Sequence, residues 1–215
     1  MRRIRSGSTK SALQKTGRAP AAAGPNALRI IGGEWRGRRI RFPHRPGIRP
    51  TPNRVRETLF NWLAPSVGGS RCLDLFAGSG ALGLEALSRG AAAVTFVESD
   101  QAAADALREV VTALAPECGL VIHGEALSWL ADPPSQPFDV VFLDPPFGSG
   151  FAAQAAQALE VGGWLRSGAR VYLEMPAAEG PPVLPTGWKL HRSGKAGAVG
   201  YHLALRRGND GVKPT

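Results

Sequence analysis

The residues best suited to chemistry lie in one short segment, residues 138–147, which reads FDVVFLDPPF. Its first six residues are almost wholly apolar and rich in branched and aromatic side chains, which predicts a strand buried on both faces of a parallel sheet. The two prolines cannot continue that strand, because each lacks a backbone N–H for the ladder. The last four residues therefore arrive at the carboxyl edge of a central strand, where open α/β sheets bind ligands. They are the catalytic candidates Asp144, Pro145, Pro146 and Phe147.

An acid, a rigid turn and an aromatic ring at this position suit a planar base that carries an exocyclic amine. Phe147 supplies a ring for stacking, and the Asp144 carboxylate and the Pro145 carbonyl supply acceptors for the amine hydrogens. Held in this way, the amine would direct its lone pair at an electrophile. The alternative is an ordinary strand end with a Pro-Pro turn and a surface aspartate, and four residues leave both interpretations open. The tetrapeptide resembles the catalytic motif of amino-group methyltransferases that use S-adenosylmethionine.

A second candidate segment, GSGALG at residues 78–83, fits the pattern Gly-x-Gly-x-x-Gly. Nicotinamide-binding turns share this pattern, so it is a weak signal alone. Asp74 lies four residues before the first glycine, inside a predicted strand. A carboxylate there would repel a dinucleotide pyrophosphate, whereas it suits the α-ammonium of S-adenosyl-L-methionine. The glycines would let the backbone approach that ligand closely at a helix N-terminus.

Two further acids follow the next two predicted strands. Glu98 ends its strand and is placed to accept hydrogen bonds from ribose hydroxyls, although a dehydrogenase would also use an acid there. Glu125 could reach an adenine amino group, or it could be a solvated glutamate at a helix start. The complete set of predicted cofactor-binding residues is Asp74, Phe76, Ala77, Gly78, Gly80, Glu98 and Glu125.

Strand and helix patterns alternate from residue 71 onwards. The predicted strands cover residues 72–76, 94–98, 120–123, 138–143 and 169–174. The predicted helices cover residues 82–89, 102–114 and 151–159, and residues 188–191 and 200–205 are expected to form a closing antiparallel pair. This order predicts an α/β fold, a doubly wound and mostly parallel sheet with right-handed crossovers.

Residues 28–43 predict a β-hairpin, with strands at 28–31 and 38–42 around a glycine-rich connection. Arginines alternate with apolar residues in the second strand, which gives one guanidinium-lined face, either for phosphate binding or merely solvated. A helix is expected to follow, with Thr51 as its N-cap and an apolar stripe that contains Trp62 but not Arg56. The candidate RNA-binding residues are Arg36, Arg38, Arg39, Arg41, Arg49 and Arg54.

The net charge of +9 is concentrated at one end of the chain. Residues 1–56 carry 15 lysines and arginines against one acid, whereas residues 57–215 carry 11 basic and 16 acidic residues. A basic arm on a mildly acidic body favours a polyanionic partner such as nucleic acid, and the alternative is a tail kept for solubility.

We expect four regions in the 215 residues: a disordered basic tail (1–27), the hairpin and helix extension (28–64), the sheet domain (65–207) and a flexible C-terminal tail (208–215). The composition of residues 1–27 also fits a mitochondrial transit peptide. Two cysteines without pair spacing indicate a reducing compartment, and no metal site is expected. The four histidines show no ligand spacing and are assigned to loops or strand ends. No apolar run approaches the roughly 20 residues that span a bilayer.

The blocks RIIGGEWRGRRI, RPTPNRVRETLFNWL, LDLFAGSGALGLEALSRGA, VESD, FDVVFLDPPF and KAGAVGYHLAL occur in this order over most of residues 28–205. With them the chain resembles the bacterial 16S ribosomal RNA guanine-N(2) methyltransferases of the RsmD type. The resemblance implies a class I S-adenosylmethionine-dependent methyltransferase fold and methylation of the 2-amino group of guanine 966. It also implies a 16S rRNA partner within the assembling small ribosomal subunit, and a cytoplasmic enzyme that we expect to be monomeric. Glu125 departs from the family, in which Asp is common.

Three other functions remain open from the sequence. A DNA adenine amino-methyltransferase uses the same Asp-Pro-Pro-aromatic chemistry, but no separate target-recognition domain fits between these strands. A non-catalytic RNA-binding assembly factor would have no need of Asp74 together with residues 144–147. A nicotinamide oxidoreductase would need hydride-transfer residues that are not visible. A methyltransferase requires the two loop tips that carry Asp74 and Asp144, at the ends of neighbouring strands, to face each other across one cavity.

Overall fold

The computed structural model describes residues 26–42 and 53–208. Its strands are β1 (Asn26–Arg29), β2 (Arg39–Phe42), β3 (Arg71–Asp74), β4 (Ala93–Glu98), β5 (Gly119–His123), β6 (Phe138–Leu143), β7 (Leu165–Pro176), β8 (Trp188–Ala196) and β9 (Val199–Arg206). Its helices are α1 (Asn53–Val67), α2 (Ala81–Ser88), α3 (Gln101–Leu114), α4 (Ala126–Trp129) and α5 (Phe151–Val161), with a short 3-10 helix at Ala177–Glu179. None of these helices has the length and hydrophobicity needed to cross a membrane.

Seven strands form one sheet in the order β5-β4-β3-β6-β7-β9-β8. The first five are parallel, and β9 inserts antiparallel between β7 and β8. The chain winds outward from β3 in one direction and from β6 in the other, so these neighbours form a topological switch point. Asp74 of β3 lies in register with Phe142 of β6, which brings their carboxyl ends together. The predicted doubly wound sheet with a closing antiparallel pair is confirmed.

The sheet separates two apolar cores. One core contains Val140 and Phe142 of β6 and packs against the hairpin and helices α1, α2 and α3. The other contains Val141 and Leu143 and packs against α4 and α5. Successive side chains of a strand point to opposite faces, so the uninterrupted apolar run of β6 is needed to fill both cores. The strand predicted over residues 138–143 is confirmed at both ends.

The hairpin formed by β1 and β2 is docked against the domain rather than projecting freely. The pair is antiparallel, with Leu28 opposite Ile40, and both side chains are buried in the same core as α1 and α2. The first strand ends at Arg29, two residues earlier than expected. Beyond it, the backbone N–H groups of Ile31 and Gly32 donate to the Glu85 carboxylate on α2 at 2.9 and 2.8 Å. Contact with α2 therefore shapes the connection.

Gly33 shows how tight that contact is. Its φ is +76°, and a Cβ there would lie 1.8 Å from the carbonyl oxygen of Ser88 at the end of α2. The neighbouring backbone is held by the same residue, because Ser88 Oγ donates to the Gly32 carbonyl at 2.6 Å and accepts from Trp35 N–H at 2.9 Å. Any side chain at Gly33 would separate the hairpin from α2.

Arg56 corrects an expectation. It was expected to lie off the apolar stripe of α1, but it belongs to the buried face of that helix and is only 1% exposed. Its guanidinium donates to the Arg29 carbonyl at 2.9 Å and to Asn53 Oδ1 at 2.7 Å. It also lies 3.8 Å from the fully buried Glu85, which accepts from Arg89 Nε at 2.8 Å. Burial lowers the pKa of Arg56, and the charge of Glu85 opposes this change.

Several other boundaries differ from the expectations. Helix α1 continues through Pro65 to Val67, beyond the boundary expected after residue 64, and the short helix α4 was missed. Strands β8 and β9 extend to residues 196 and 199, so their turn reaches the carboxyl edge of the sheet. Trp62 is half-buried and packs its ring 5.5 Å from Tyr201. His202 is buried within β9, not at a loop or strand end. The expectations for Arg49 and Thr51 lie outside the described residues.

Candidate active site

A cavity of about 930 Å³ opens at the carboxyl edge of the sheet. Its wall includes the ends of β3, β4, β5, β6 and β7 and the turn between β8 and β9. The volume is within the usual range for small-molecule sites. Asp74 and Asp144 both line it, so the expected meeting of the two loop tips is confirmed.

Asp74 is a buried carboxylate at the wall of this cavity. It is 2% exposed, and Gly83 N–H at the start of α2 donates to its Oδ2 at 2.9 Å. Burial raises the pKa of Asp74 from its ordinary value of 3.8 to about 7; the Gly83 hydrogen bond opposes this shift and the charge of Glu98 adds to it. A carboxylate desolvated to this degree is stabilised by any cation that enters the cavity beside it.

The loop after β3 forms the floor beside Asp74. Phe76, Ala77 and Gly78 all line the cavity, as predicted. Gly80 is absent from the wall. It precedes α2 with a φ of +72°, and a Cβ there would lie 2.4 Å from a Leu107 methyl carbon on α3. The geometry of Gly80 therefore serves the turn and the packing of α3, and its contact with the cofactor stays a prediction.

Glu98 connects the loop after β3 with the loop after β4. Its carboxylate accepts from Gly78 N–H at 2.6 Å and from Asp100 N–H at 2.8 Å, and it lines the cavity. These hydrogen bonds fix its position, while a carboxylate retains further acceptor positions. Glu125 is an exposed residue of the same wall that precedes α4 without capping that helix. Both acids are thus where the sequence placed them.

The four residues after β6 form the opposite side of the cavity. Asp144 is half-buried and Pro145 is buried, whereas Pro146 is exposed. The Phe147 ring remains 49% exposed at the rim, although a large aromatic side chain usually packs inside. Ser149 Oγ donates to the Pro146 carbonyl at 2.7 Å, which closes the turn. All four predicted residues line the cavity, and the exposed ring is available for stacking.

Sequence reasoning missed three features of the wall. Phe151 of α5 stacks parallel to Phe76 with centroids 6.3 Å apart. The turn at residues 196–199 approaches from β8 and β9. Glu174 of β7 is 4% exposed and accepts a hydrogen bond from the Tyr172 hydroxyl at 2.6 Å. An acid in the otherwise apolar run VYLEM was the available signal for Glu174.

The candidate RNA-binding arginines in the described residues share an exposed position. Ile40 and Phe42 are buried while Arg39 and Arg41 are exposed, which is the alternation that the sequence predicted for β2. Arg29 lies opposite Arg39 and is also exposed. The remaining exposed candidates are Arg36, Arg38 and Arg54. Whether this surface binds RNA stays a prediction.

The strand order, the glycine loop after the first parallel strand and the acids at successive strand ends define a class I methyltransferase fold. Over residues 28–205 the chain matches the family model described as "Conserved hypothetical protein 95". The chain belongs to this family, whose RsmD-type members it was expected to resemble.

Relatives and solved structures agree with this assignment. The chain is 47% identical over 187 residues to the Escherichia coli K12 protein named "Ribosomal RNA small subunit methyltransferase D", covering 87% of this chain and 94% of the relative. The protein of that name from Haemophilus influenzae is 46% identical, with coverages of 83% and 95%. A solved structure, a putative methyltransferase YhhF from Escherichia coli, is 45% identical and has a TM-score of 0.79, with coverages of 85% and 99%. A putative methylase from Haemophilus influenzae is 42% identical, with a TM-score of 0.75 and coverages of 85% and 100%.

Proposed function

We propose that this protein transfers a methyl group from S-adenosylmethionine to the exocyclic 2-amino group of a guanine in 16S ribosomal RNA, guanine 966 by family resemblance. The observation that carries the proposal is the shared cavity between Asp74 on β3 and Asp144 on β6. One tip suits a cation and the other suits an amine beside an aromatic ring. The names of the relatives, which specify small-subunit ribosomal RNA, support the substrate class.

The residues on the β3, β4 and β5 side fit the proposed donor. The buried Asp74 carboxylate, with its raised pKa, would bind the α-ammonium of the methionyl part and become ionised as it does so. Glu98 would accept hydrogen bonds from ribose hydroxyls, and Glu125 from the adenine amino group. Phe76, Ala77 and Gly78 would line the methionyl path. When bound, S-adenosylmethionine supplies an electrophilic methyl group on a good leaving group.

The residues after β6 would hold the acceptor. Asp144 would orient the guanine amine and accept the proton that it loses, with the Pro145 carbonyl as a second acceptor. Phe147 would stack on the base, which must leave the RNA stack to reach it. Alignment of amine and methyl group can supply about 7–11 kcal/mol of the barrier reduction. No covalent enzyme intermediate is required.

The exposed arginines of the hairpin would bind the RNA backbone. Their guanidinium groups suit bidentate contacts with phosphate, and the hairpin is anchored through Glu85 to α2, whose first turn holds Asp74. We propose an assembled or nearly assembled small-subunit particle as the substrate, and a monomeric cytoplasmic enzyme without a metal.

The test is to identify the methylated nucleoside. The protein and radiolabelled S-adenosylmethionine are incubated with small-subunit particles, with free 16S RNA and with duplex DNA, and the products are digested and analysed by mass spectrometry. We expect N2-methylguanosine at one position of the particle RNA. Methylated adenine in the DNA would show a DNA amino-methyltransferase instead. Absence of cofactor binding in calorimetry would show a non-catalytic fold.

A further inference from the structure

Glu174 lies beside the catalytic motif without a role in the function proposed above. It belongs to β7, which pairs in parallel with β6, and Leu143 of β6 lies in register with Leu173 of β7. One residue further along both chains, Asp144 and Glu174 are neighbours at the carboxyl edge. Glu174 is buried and lines the same cavity as Asp144.

The sheet order places Glu174 on the side away from the cofactor residues. Reading across the edge from β5 to β7, the acids that line the cavity are Glu125, Glu98, Asp74, Asp144 and Glu174. The first three are the proposed partners of S-adenosylmethionine. Asp144 stands between them and Glu174, so Glu174 lies on the side of Asp144 away from the proposed donor.

Tyr172 fixes the Glu174 carboxylate in place. The Tyr172 hydroxyl donates to Glu174 Oε1 at 2.6 Å, and the tyrosine is fully buried. Burial, and then the negative charges of Glu174 and Asp144, raise the pKa of Tyr172 well above its ordinary value, so the hydroxyl remains a donor. An ionised carboxylate has about four lone-pair positions, so the Tyr172 bond by itself does not use up its capacity to accept.

The edge of guanine that carries the 2-amino group also carries the N1–H donor beside it. Adenine and 2-aminopurine have an unprotonated N1, which is an acceptor and would face the carboxylate unfavourably. We propose that Glu174 determines the choice of base by accepting the N1–H of the target guanine while Asp144 holds its 2-amino group. This inference rests on the proposed guanine-N(2) activity and adds to it the residue that reads the base.

The experiment compares guanine with 2-aminopurine, which keeps the 2-amino nucleophile but lacks the N1 hydrogen. Small-subunit particles are reconstituted with ribosomal RNA that carries one or the other base at the mapped position. For the wild type we expect methylation of guanine to be faster by on the order of 100-fold, because a site built to hydrogen-bond a donor rejects an analogue without it. Equal rates in the wild type would overturn the inference.

The variant Glu174→Gln is nearly isosteric and adds an amide donor that can bond to the unprotonated N1. We expect the guanine to 2-aminopurine ratio to narrow by about tenfold or more. Tyr172→Phe is the comparison variant: it removes the bond that holds the carboxylate but keeps the carboxylate itself, so it should narrow the ratio less than Glu174→Gln does. Calorimetry with S-adenosylhomocysteine checks that both variants retain the cofactor site.

Two further outcomes are decisive. An unchanged ratio in Glu174→Gln overturns the base-reading role. If that variant shows no turnover on either base, the two particles compete for binding in the presence of S-adenosylhomocysteine. This competition measures the preference for guanine over 2-aminopurine in binding, and an unchanged preference relative to the wild type again overturns the role. Failure of the proposed function is seen separately, because the wild type would then yield no N2-methylguanosine.

Discussion

Two buried carboxylates close to α2 differ in how completely they are paired. Glu85 is fully buried and accepts from two hairpin N–H groups and from Arg89, with Arg56 at 3.8 Å. Asp74 is buried almost as deeply, but within residues 26–42 and 53–208 its hydrogen-bond donor is the N–H of Gly83.

The consequence of this difference is a division of roles. A buried charge is tolerated when charge partners and hydrogen bonds replace its lost hydration. Glu85 meets this condition inside the protein, so it acts as an anchor between the hairpin and the domain. Asp74 has no such charge partner in the described part of the chain and borders a cavity, so a cationic ligand would complete its pairing. The degree of pairing, rather than burial itself, separates Glu85, the structural acid, from Asp74, the proposed binding acid.

Loss of the anchor should have the largest effect on stability. Glu85→Gln leaves the guanidinium of Arg56, 1% exposed, without its counter-charge. We expect the free energy of unfolding in urea to fall by about 3–5 kcal/mol. The control is Asp105→Asn, which breaks a solvent-exposed pair with Arg108 and should leave the unfolding midpoint unchanged. Equal effects of the two variants would remove the distinction between Glu85 and a surface acid.

Asp74→Asn should show the opposite behaviour, with lost binding and gained stability. The folded-state pKa of Asp74 is about 7 against 3.8 ordinarily, so the wild type binds a proton more tightly when folded. Its contribution to stability is complete below about pH 4 and is lost as the pH rises through about 7. At pH 8 we therefore expect the ligand-free variant to exceed the wild type by on the order of 2–4 kcal/mol, and at pH 4 by much less. Urea melts at both pH values measure this, and a variant less stable at pH 8 would contradict it.

The affinity of the cofactor site should also depend on pH, because Asp74 must lose its proton to bind an ammonium group. If Asp74 must ionise to bind an ammonium, affinity for S-adenosylhomocysteine falls by up to about tenfold for each pH unit below 7 and is flat from 7 to 8. Calorimetry at pH 6 in two buffers of different ionisation enthalpy should show proton release. A pH-independent affinity between 5 and 7 would mean that Asp74 does not titrate on binding.

Replacement of the hairpin arginines should have the smallest effect for each residue, and the property affected is the affinity for RNA. Replacing Arg38, Arg39 and Arg41 with Gln removes three exposed charges, so the slope of log affinity against log salt should decrease by about 2–3. The control replaces three exposed basic residues that lie in β8 or directly after β9, Lys189, Arg192 and Arg207. A slope that changes equally in both triple variants would show a general charge effect.

The parts of the molecule that the sequence revealed are those set by local pattern. The apolar run of β6 predicted its burial on both faces, and the spacing of Asp74 from the glycines predicted its place beside the glycine loop, although β3 ends at Asp74 and not at Phe76 as expected. Arg56 could not be placed in the same way, because its burial depends on Glu85, which lies far away in sequence.

The ends of several elements were likewise beyond local pattern. The turn between β8 and β9 consists of small residues, and only the pairing of β9 with β7 and of β8 with β9 extends these strands to the cavity. Glu174 was missed for a related reason, since its neighbour Asp144 comes from another strand. Tertiary contacts decide such positions, and single-sequence patterns do not encode them directly.

The central claim is that one cavity holds the donor on the β3 side and the base on the β6 side. Asp144→Ala tests this most directly, with S-adenosylhomocysteine affinity measured by calorimetry and methyl transfer measured on the same preparation. We expect affinity close to the wild type together with a loss of transfer of at least about 100-fold. Transfer near the wild-type rate, with affinity also unchanged, would contradict the claim.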